Sequence, residues 1–520
     1  MINCSSIHRA MPRQWFEKVR TGCVTCKARK VKCDEARPSC LRCQTGSRIC
    51  GGYRAPPPGS FSWDHVLNKR PSTISCSVSS GAESRGLDFF RCMVAPALAS
   101  PLAGSFWARP VFQLAMQEPA VRNAVLAISW LYEMFDPLSH SSSSPDQHGP
   151  AIRYYNKALG QVATSTHFNT DTVLLICILF TCIEFLRGNA IAAIEHCRHG
   201  IHILRSTSRS SPDIAIIFRH LSIFPFFFGA TPSDFPPLPS PEYSSQHIRT
   251  PLQAAESLDC LMSRSVRLLR TFDPYRLGIL DMTEVPYSLT RMKNDLCQGL
   301  ETWYRDFTSF VREIANEPKD ENQALLRSLE MRWLVCKIWV HIASFRDETC
   351  CDAYQDQFER IVTLARQEAT SRTLSEITKP KVFQFEMGLS PLLHFVVLKC
   401  RFLPLRLEAL ALTRTLGYAR ESLWDAALMY AIGSRVIERE HGINLSPGED
   451  ECEFQPSHLE YALPSDNQRI TDMCLEDETQ VHPNFGDSMM IRQRISFFVR
   501  HGIEGKVEIV RDWIDLPEMS

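Results

Sequence analysis

Six cysteines near the amino terminus form the most regular pattern of potentially reactive side chains in the sequence. They are Cys23, Cys26, Cys33, Cys40, Cys43 and Cys50. Their spacing is C-x2-C-x6-C, then six residues, then C-x2-C-x6-C again. Each C-x2-C pair can place two thiolates on one ion, and all-sulfur ligation selects zinc or iron–sulfur over hard cations. The spacing therefore indicates a metal site built from two similar halves.

Disulfide bonds are the alternative use of six cysteines, as in small secreted domains. The first twenty residues contain five charged side chains and no apolar stretch of signal-peptide length, so secretion is not expected. Two tetrahedral zinc ions would need eight sulfur contacts. Six cysteines can supply eight contacts only if two thiolates bridge both metals, and the repeat suggests that each half borrows a sulfur from the other.

Residues 21–53, TGCVTCKARKVKCDEARPSCLRCQTGSRICGGY, resemble the fungal-type binuclear zinc cluster, a DNA-binding module with six cysteines and two zinc ions. The resemblance implies that Cys23 and Cys40 bridge the two metals. It further implies that Cys26 and Cys33 complete one zinc site, and that the other is completed by Cys43 and Cys50. Pro38 falls where the family has the loop proline that turns the chain between the halves.

The cysteines are interspersed with basic residues, and these are Lys27, Arg29, Lys30, Lys32, Arg37, Arg42 and Arg48. Two zinc ions and six thiolates sum to a charge of about −2, so these residues leave a positive surplus that suits phosphates. We expect a short helix over 27–32, held at its ends by Cys26 and Cys33.

In the family that these residues resemble, the end of the corresponding helix enters the DNA major groove, typically over CGG triplets. The resemblance makes Lys30 the first candidate to bond guanine N7 and O6, with Arg29 second. The remaining candidates are expected to contact phosphates or stay solvated, and they are Lys27, Lys32, Arg42 and Arg48.

Charge is distributed unevenly over the chain, whose formal net charge is −1. Residues 1–60 carry twelve Lys and Arg against three Asp and Glu, and the remainder carries 45 against 55. A basic amino-terminal segment on an otherwise acidic chain is typical of a terminus that binds a polyanion. The 44% apolar and 22% charged content is that of a globular protein, and no apolar run reaches 18 residues. We therefore predict a soluble intracellular protein with a flexible basic segment at 1–20 and no membrane partner.

Residues 54–86 have the composition of a linker, with three consecutive prolines at 56–58 and a serine-rich stretch at 72–84. We predict a disordered linker. Many proteins of the resembled family dimerise through a coiled coil at this place, but no heptad pattern follows Cys50 here. A fragment of residues 1–90 is thus predicted to be monomeric and to contact one DNA half-site, and any homodimer would form through the body.

Beyond residue 87 the apolar residues recur with helical period. The predicted helices are 119–135, 171–186, 190–204, 251–270, 289–314, 324–342, 354–370, 391–412 and 422–440. Breaks rich in proline, serine or acidic residues lie at 139–150, 231–251 and 446–487. The predicted architecture is a small zinc-cluster module joined by the linker to a large all-α domain, residues 87–520, with an acidic loop at 446–487.

Two stretches of the body carry a second resemblance. They are FWARPVFQLAMQEPAVRNAVLAISWLYE and LLICILFTCIEFLRGNAIAAIEHCRHGIHIL. Both are similar to the helical regulatory domain that accompanies zinc clusters in many fungal transcription factors. This resemblance implies a helical architecture for the body more than any particular ligand or chemical activity.

Motifs for catalysis are not apparent in the body: it holds no nucleotide Gly-rich loop, phosphate-binding lysine loop, paired-histidine zinc motif or calcium loop. His196, His199 and His202 with Cys197 could suggest a second metal site, but three-residue spacing drifts around a helix, so we favour ordinary helix positions.

The stretch 449–487 holds eleven Asp and Glu against Arg469, with bulky apolar residues between. It is either an acidic loop or an activation segment that folds on a coactivator.

Together these features predict a nuclear, sequence-specific transcription factor for RNA polymerase II genes. Its expected cofactor is zinc, two ions per chain, and its expected partners are double-stranded DNA and the transcription machinery or coactivators. The alternatives are a zinc-cluster repressor or cofactor without activation function and, less favoured, an enzyme on the helical body.

Overall fold

A computed structural model of the chain places its residues in two compact units, 1–60 and 61–520. The described residues are 22–34, 36, 39–53, 81–99, 106–135, 149–165, 168–207, 211–238, 247–314, 322–372, 382–445, 462–483, 489–501 and 506–516. The predictions for 1–20, for Pro38, and for linker residues 54–80 lie outside this set. Within it, no helix has the length and apolarity needed to cross a bilayer.

The amino-terminal unit contains two five-residue helices, α1 (Val24–Ala28) and α2 (Leu41–Thr45). The buried hydrophobic side chains of this unit are a cluster of five cysteines, against which Val31, Cys50 and Tyr53 pack. With so little apolar surface to bury, the hydrophobic effect cannot hold this unit together by itself.

The body is mostly helical, as predicted. Its first helices are α3 (Gly81–Phe89), α4 (Ala95–Leu98), α5 (Phe112–Ala115), α6 (Pro119–Glu133), α7 (Gly149–Thr164), α8 (Thr170–Arg187), α9 (Ala190–Ser206) and α10 (Pro212–Leu221). Two π-helical turns, Phe90–Val94 and Trp107–Val111, lie among them. Helix α8 is buried on all sides and runs through the core, which explains why its apolar residues show no clear stripe. Since α3 begins at Gly81, the predicted linker is too long by its last six residues.

The second half of the body contains α11 (Pro251–Arg276), α12 (Tyr287–Ile314), α13 (Gln323–Ile342), α14 (Gln355–Ser371), α15 (Ser390–Lys399), α16 (Leu403–Leu416) and α17 (Ala426–His441). The single helix predicted over 391–412 is wrong, because the chain leaves helical geometry at Cys400 and restarts with Pro404 in the first turn of α16. The predicted start at 422 is also wrong. Residues 420–425 instead form two short strands, β2 (Arg420–Glu421) and β3 (Trp424–Asp425), which pair with β1 (Phe383–Gln384).

The carboxy-terminal part of the body contains a three-stranded antiparallel sheet. The prediction that residues 87–520 are all helical is therefore wrong for this part. Its strands are β4 (Ile470–Pro483), β5 (Met489–His501) and β6 (Lys506–Leu516), in the order β4-β5-β6. Most of the second half of the predicted acidic loop is therefore strand β4, while residues 446–461 lie outside the described set. The apolar residues on one sheet face pack with Ile432 and Val436 of α17.

Buried ion pairs fasten the start of this sheet to the helices. Glu440 on α17 accepts hydrogen bonds from Arg401 at 3.1 Å, from Arg406 at 2.7 Å and from the backbone N–H of Ile470 at 2.7 Å. Arg469 makes two 2.8 Å hydrogen bonds to the carboxylate of Asp352. The sheet is thus an integral part of the helical body.

A second buried network surrounds His220 on α10. Its Nδ1 lies 2.8 Å from Asp259 Oδ2, its Nε2 lies 3.6 Å from Glu386 Oε2, and Arg332 lies 3.5 Å from Asp259. Burial alone would lower the pKa of His220, but the charges of Asp259 and Glu386 outweigh it and raise the pKa. The imidazolium therefore links α10 to α11 and to the 385–387 segment.

We expect the contribution of His220 to the free energy of unfolding to decline as pH rises. Because the folded-state pKa is raised, this contribution is complete below about pH 6.5 and is lost as pH passes through the folded-state value. Urea unfolding of His220→Gln should show a loss of about 1.5–3 kcal/mol relative to the unsubstituted protein at pH 6, and a smaller loss at pH 9. His247→Gln, at an exposed position, is the control. A loss that stays constant or grows with pH would contradict this assignment.

Candidate metal centre and nucleic-acid interface

Four thiols of the amino-terminal unit have the mutual spacing of a tetrahedral metal site. The Sγ atom of Cys23 lies 3.6 Å from that of Cys40 and 3.8 Å from that of Cys43, and Cys26 Sγ lies 3.7 and 3.9 Å from the same two atoms. Sulfurs at about 2.3 Å from a zinc ion at the centre of a tetrahedron are about 3.8 Å apart. The thiol set therefore fits zinc.

The two remaining cysteines lie at the periphery of this group. The backbone N–H of Cys23 lies 3.4 Å from Cys33 Sγ, and Cys33 also approaches Cys40. The Cys50 thiol hydrogen-bonds to those of Cys23 and Cys40. Cys23, Cys26, Cys40 and Cys43 each contact thiols of both halves, and Cys23 and Cys40 are the two that also contact Cys50.

Burial strongly influences the proton affinity of these thiols. It raises the pKa of both Cys26 and Cys40, because an uncompensated thiolate is unfavourable in a buried setting. Only deprotonated thiols bind metal, and a divalent cation stabilises the thiolate form. Metal binding by this cluster is therefore coupled to the release of protons.

Both short helices end in the same backbone motif. After α1, Lys30 has a left-handed backbone with φ of 54°, Lys30 N–H donates to Lys27 O, and Val31 N–H donates to Cys26 O. After α2, Ser47 has φ of 49°, Ser47 N–H donates to Gln44 O, and Arg48 N–H donates to Cys43 O. These are Schellman motifs. They end α1 at Ala28, so the prediction of a helix over 27–32 is wrong.

Polar contacts lock the two halves to each other. The Asp34 carboxylate accepts from the backbone N–H groups of Leu41 at 2.9 Å and Arg42 at 3.0 Å, at the start of α2. The bond from Arg42, together with that from Leu41, lowers the pKa of Asp34. The Thr25 hydroxyl accepts from Gly51 N–H at 2.8 Å and donates to Ile49 O at 3.2 Å. Sequence reasoning missed Asp34 and Thr25, whose partners are remote in the chain.

The predicted DNA-contacting residues are all exposed on this unit. Lys27 lies in the last turn of α1, Arg29 and Lys30 lie in the turn that follows, and Lys32 lies two residues beyond. These four basic residues therefore occupy a single helix end. On the other half, Arg42 lies in α2 and Arg48 in the turn after it.

The histidines of α9 do not form a second metal site. His196 Nε2 lies 2.8 Å from the hydroxyl of Tyr155, and burial lowers the pKa of His196 to about 4. Among the described residues, groups of three or more potential metal ligands occur only within the amino-terminal unit.

Two family models match separate parts of this chain. Residues 21–60 match the fungal Zn(2)-Cys(6) binuclear cluster domain, and residues 86–267 match the fungal specific transcription factor domain. The chain thus contains a fungal zinc-cluster module and part of a regulatory domain found in fungal transcription factors. The first match covers all six cysteines, and the second covers the helices from the end of α3 into α11.

Several curated relatives are named as transcription regulators. The aspercryptin biosynthesis cluster-specific transcription regulator atnN of Emericella nidulans is 24% identical over 399 residues, which is 67% of this chain and 63% of the relative. Transcription regulator lscL of Purpureocillium lilacinum is 29% identical over 202 residues, 34% of this chain and 47% of the relative. The Zn(2)-C6 fungal-type transcription factor afumD of Aspergillus fumigatus is 27% identical over 230 residues, 41% and 59% of the two chains.

The matches span between about half and just under two thirds of the lengths of these relatives. No solved structure gave a significant match.

Proposed function

We propose that this protein is a nuclear, zinc-dependent, sequence-specific DNA-binding regulator of RNA polymerase II transcription. The observation that carries the proposal is the pairing of one compact six-thiol cluster with a row of exposed basic residues at the end of α1. The cluster can fix the helix end rigidly, and the basic residues can then meet bases and phosphates in a defined geometry.

The proposed cluster holds two zinc ions. Cys23 and Cys40 bridge them, Cys26 and Cys33 complete one site, and Cys43 and Cys50 complete the other. The contacts of the Cys23 and Cys40 thiols with each other and with Cys50 support this assignment, which divides the four closest thiols so that Cys26 serves one ion and Cys43 the other. Zinc contributes no redox chemistry here; it supplies the cross-links that a unit with almost no apolar core needs in order to fold.

In the proposed DNA complex, Lys30 bonds guanine N7 and O6 of a CGG-like triplet in the major groove, with Arg29 as the second base-reading candidate. The phosphate contacts are made by Lys27, Lys32, Arg42 and Arg48. The left-handed backbone at Lys30 supports its special role, because it ends the helix and places the lysine at its exposed tip.

Lys30→Ala should reduce affinity for the preferred triplet by about 1–3 kcal/mol and change affinity for mutated DNA little. Lys32→Ala should weaken binding to both DNAs equally and make binding less dependent on salt. The measurement is fluorescence anisotropy of zinc-loaded protein on both DNAs at several salt concentrations.

Ser47→Ala is the matched control, because Ser47 occupies the equivalent left-handed position of the second half but carries no charge. It should leave discrimination between the two DNAs unchanged. If Lys30→Ala weakens binding to all sequences alike, Lys30 is not a base-reading residue.

A further inference from the structure

The two edges of the β4-β5-β6 sheet differ in regularity. Strand β4 has register shifts against β5 at two places, between Ile470 and Asp472 and between Leu475 and Thr479, and it ends at Pro483. Strand β6 pairs with β5 without a shift over all eleven of its residues, and it contains neither proline nor glycine. Bulges and proline are the usual devices that keep an edge strand from pairing further. By this criterion β4 is protected and β6 is not.

Among the residues that the structure describes, no strand pairs with the outer edge of β6. Exposed side chains accompany this open edge: Ile509 is 55% exposed, and the side chains of Arg511 and Asp515 are 62% and 51% exposed. A long, regular edge that carries an exposed apolar residue is a template for a further strand.

The side chains of β6 alternate between two faces, as strand geometry requires. Ile514 is buried toward α17, and Val510 and Leu516 pack in the same apolar cluster. The opposite face carries Arg511, Trp513 and Asp515, where Arg494 of β5 lies over the Trp513 ring. A strand added to this edge would thus extend an inner face that is apolar except for Asp512, which pairs with Arg435 of α17, and an outer face that carries both charges.

We infer that β6 pairs antiparallel with β6 of a second copy of this chain, so that two three-stranded sheets join across a two-fold axis. With Trp513 at the axis, Arg511 lies opposite Asp515 of the second copy, and the reverse pair forms on the other side. Residues opposite each other in antiparallel strands share a face, so these opposite charges can meet. A register centred on Arg511 would instead oppose two arginines.

The charge pattern is the reason for choosing a second copy as the occupant. The basic Arg511 and the acidic Asp515 stand symmetrically about Trp513, so the strand complements itself under a two-fold rotation. In the same register Val510 meets Leu516 of the second copy on the inner face, and Ile514 lies opposite Asp512, whose charge is paired with Arg435. A strand from an unrelated protein would have no reason to carry this pattern.

Charge reversal on the zinc-loaded full-length chain tests the pairing. Sedimentation velocity should show a dimer for the unsubstituted protein at about 10 μM, and Arg511→Asp should weaken dimerisation at least about tenfold, because each introduced carboxylate would face Asp515 of the other copy. Asp515→Arg should weaken it similarly. The double variant Arg511→Asp with Asp515→Arg should restore it, because the swap recreates both opposite-charge pairs.

Internal contacts of these residues require controls. Arg511 is bonded to Glu476 at 3.0 Å and Asp515 to Arg492 at 2.5 Å, so each variant must keep the circular dichroism spectrum and melting temperature of the folded protein. Arg291→Asp, on the exposed surface of α12, is the matched reversal and should leave the dimer intact. A monomer at about 10 μM without substitution, a dimer indifferent to Arg511→Asp, or a folded swap variant that stays monomeric would each overturn the proposal.

Discussion

Cys40→Ser is expected to remove zinc from both metal positions, unfold residues 21–53 and abolish specific DNA binding. The Cys40 thiol lies 3.6 and 3.7 Å from those of Cys23 and Cys26 and also contacts the second half of the cluster. If it is shared, its loss takes a ligand from each ion. Structural zinc sites of this size hold about 10–16 kcal/mol of apparent binding free energy, so no other interaction in the unit can compensate.

Elemental analysis of the purified full-length chain measures this effect. We expect two zinc ions per chain without substitution and close to none for Cys40→Ser. Cys33→Ser, which touches only one proposed site, should lose less zinc but should also impair folding. Cys92→Ser, which alters an exposed thiol of the helical body, is the control and should keep both ions. A Cys40→Ser protein that retains a full complement of zinc would show that this thiol is not a bridging ligand.

Glu440→Gln is expected to destabilise the helical body by about 3–5 kcal/mol, because it removes the counter-charge that the buried Arg406 and Arg401 share and leaves Arg401 with Glu348 at 3.4 Å. The Glu440, Arg401 and Arg406 side chains are all fully buried. Burial alone would raise the pKa of Glu440, but the two arginines outweigh it and lower the pKa, so the carboxylate is charged in the folded protein. Glu440 also accepts a hydrogen bond from the backbone N–H of Ile470, the first residue of β4. The substitution should therefore destabilise the sheet as well.

Thermal and urea unfolding measure this loss, and Glu408→Gln provides the matched control. Glu408 pairs with Arg366 at 2.7 Å on the surface, where such a pair contributes about 0–1 kcal/mol. We expect Glu408→Gln to fall within that range. Equal effects of the two substitutions would mean that the buried network does not hold the sheet.

The metal centre could be predicted from sequence because its determinants are local. Cysteine spacing defines which thiols can meet, and residues 23–50 place all six of them in one cluster. The end of α1 was predicted wrongly because it depends on the left-handed backbone conformation of Lys30. Lysine does not favour that conformation, so the sequence gives no sign of it. The hydrogen bonds of Asp34 and Thr25 depend on partners in the other half, which spacing does not reveal.

The helical body was predictable from apolar periodicity, while the carboxy-terminal sheet was not recognised. Strand β5 does contain an alternating signal, since Ile495, Phe497 and Val499 are buried at every second position. That signal follows a long acidic stretch, which favoured a loop interpretation of β4. The buried pairs of Glu440 and His220 join residues about 30 to 170 positions apart, and only the tertiary fold brings them together.

Selection of bound DNA from a random pool by the zinc-loaded full-length chain tests the central claim most directly. The account predicts enrichment of a short CGG-like triplet, complete loss of enrichment after zinc is removed with a chelator, and recovery when zinc is restored. Enrichment that survives metal removal, or no enriched sequence from protein that holds two zinc ions, would contradict it.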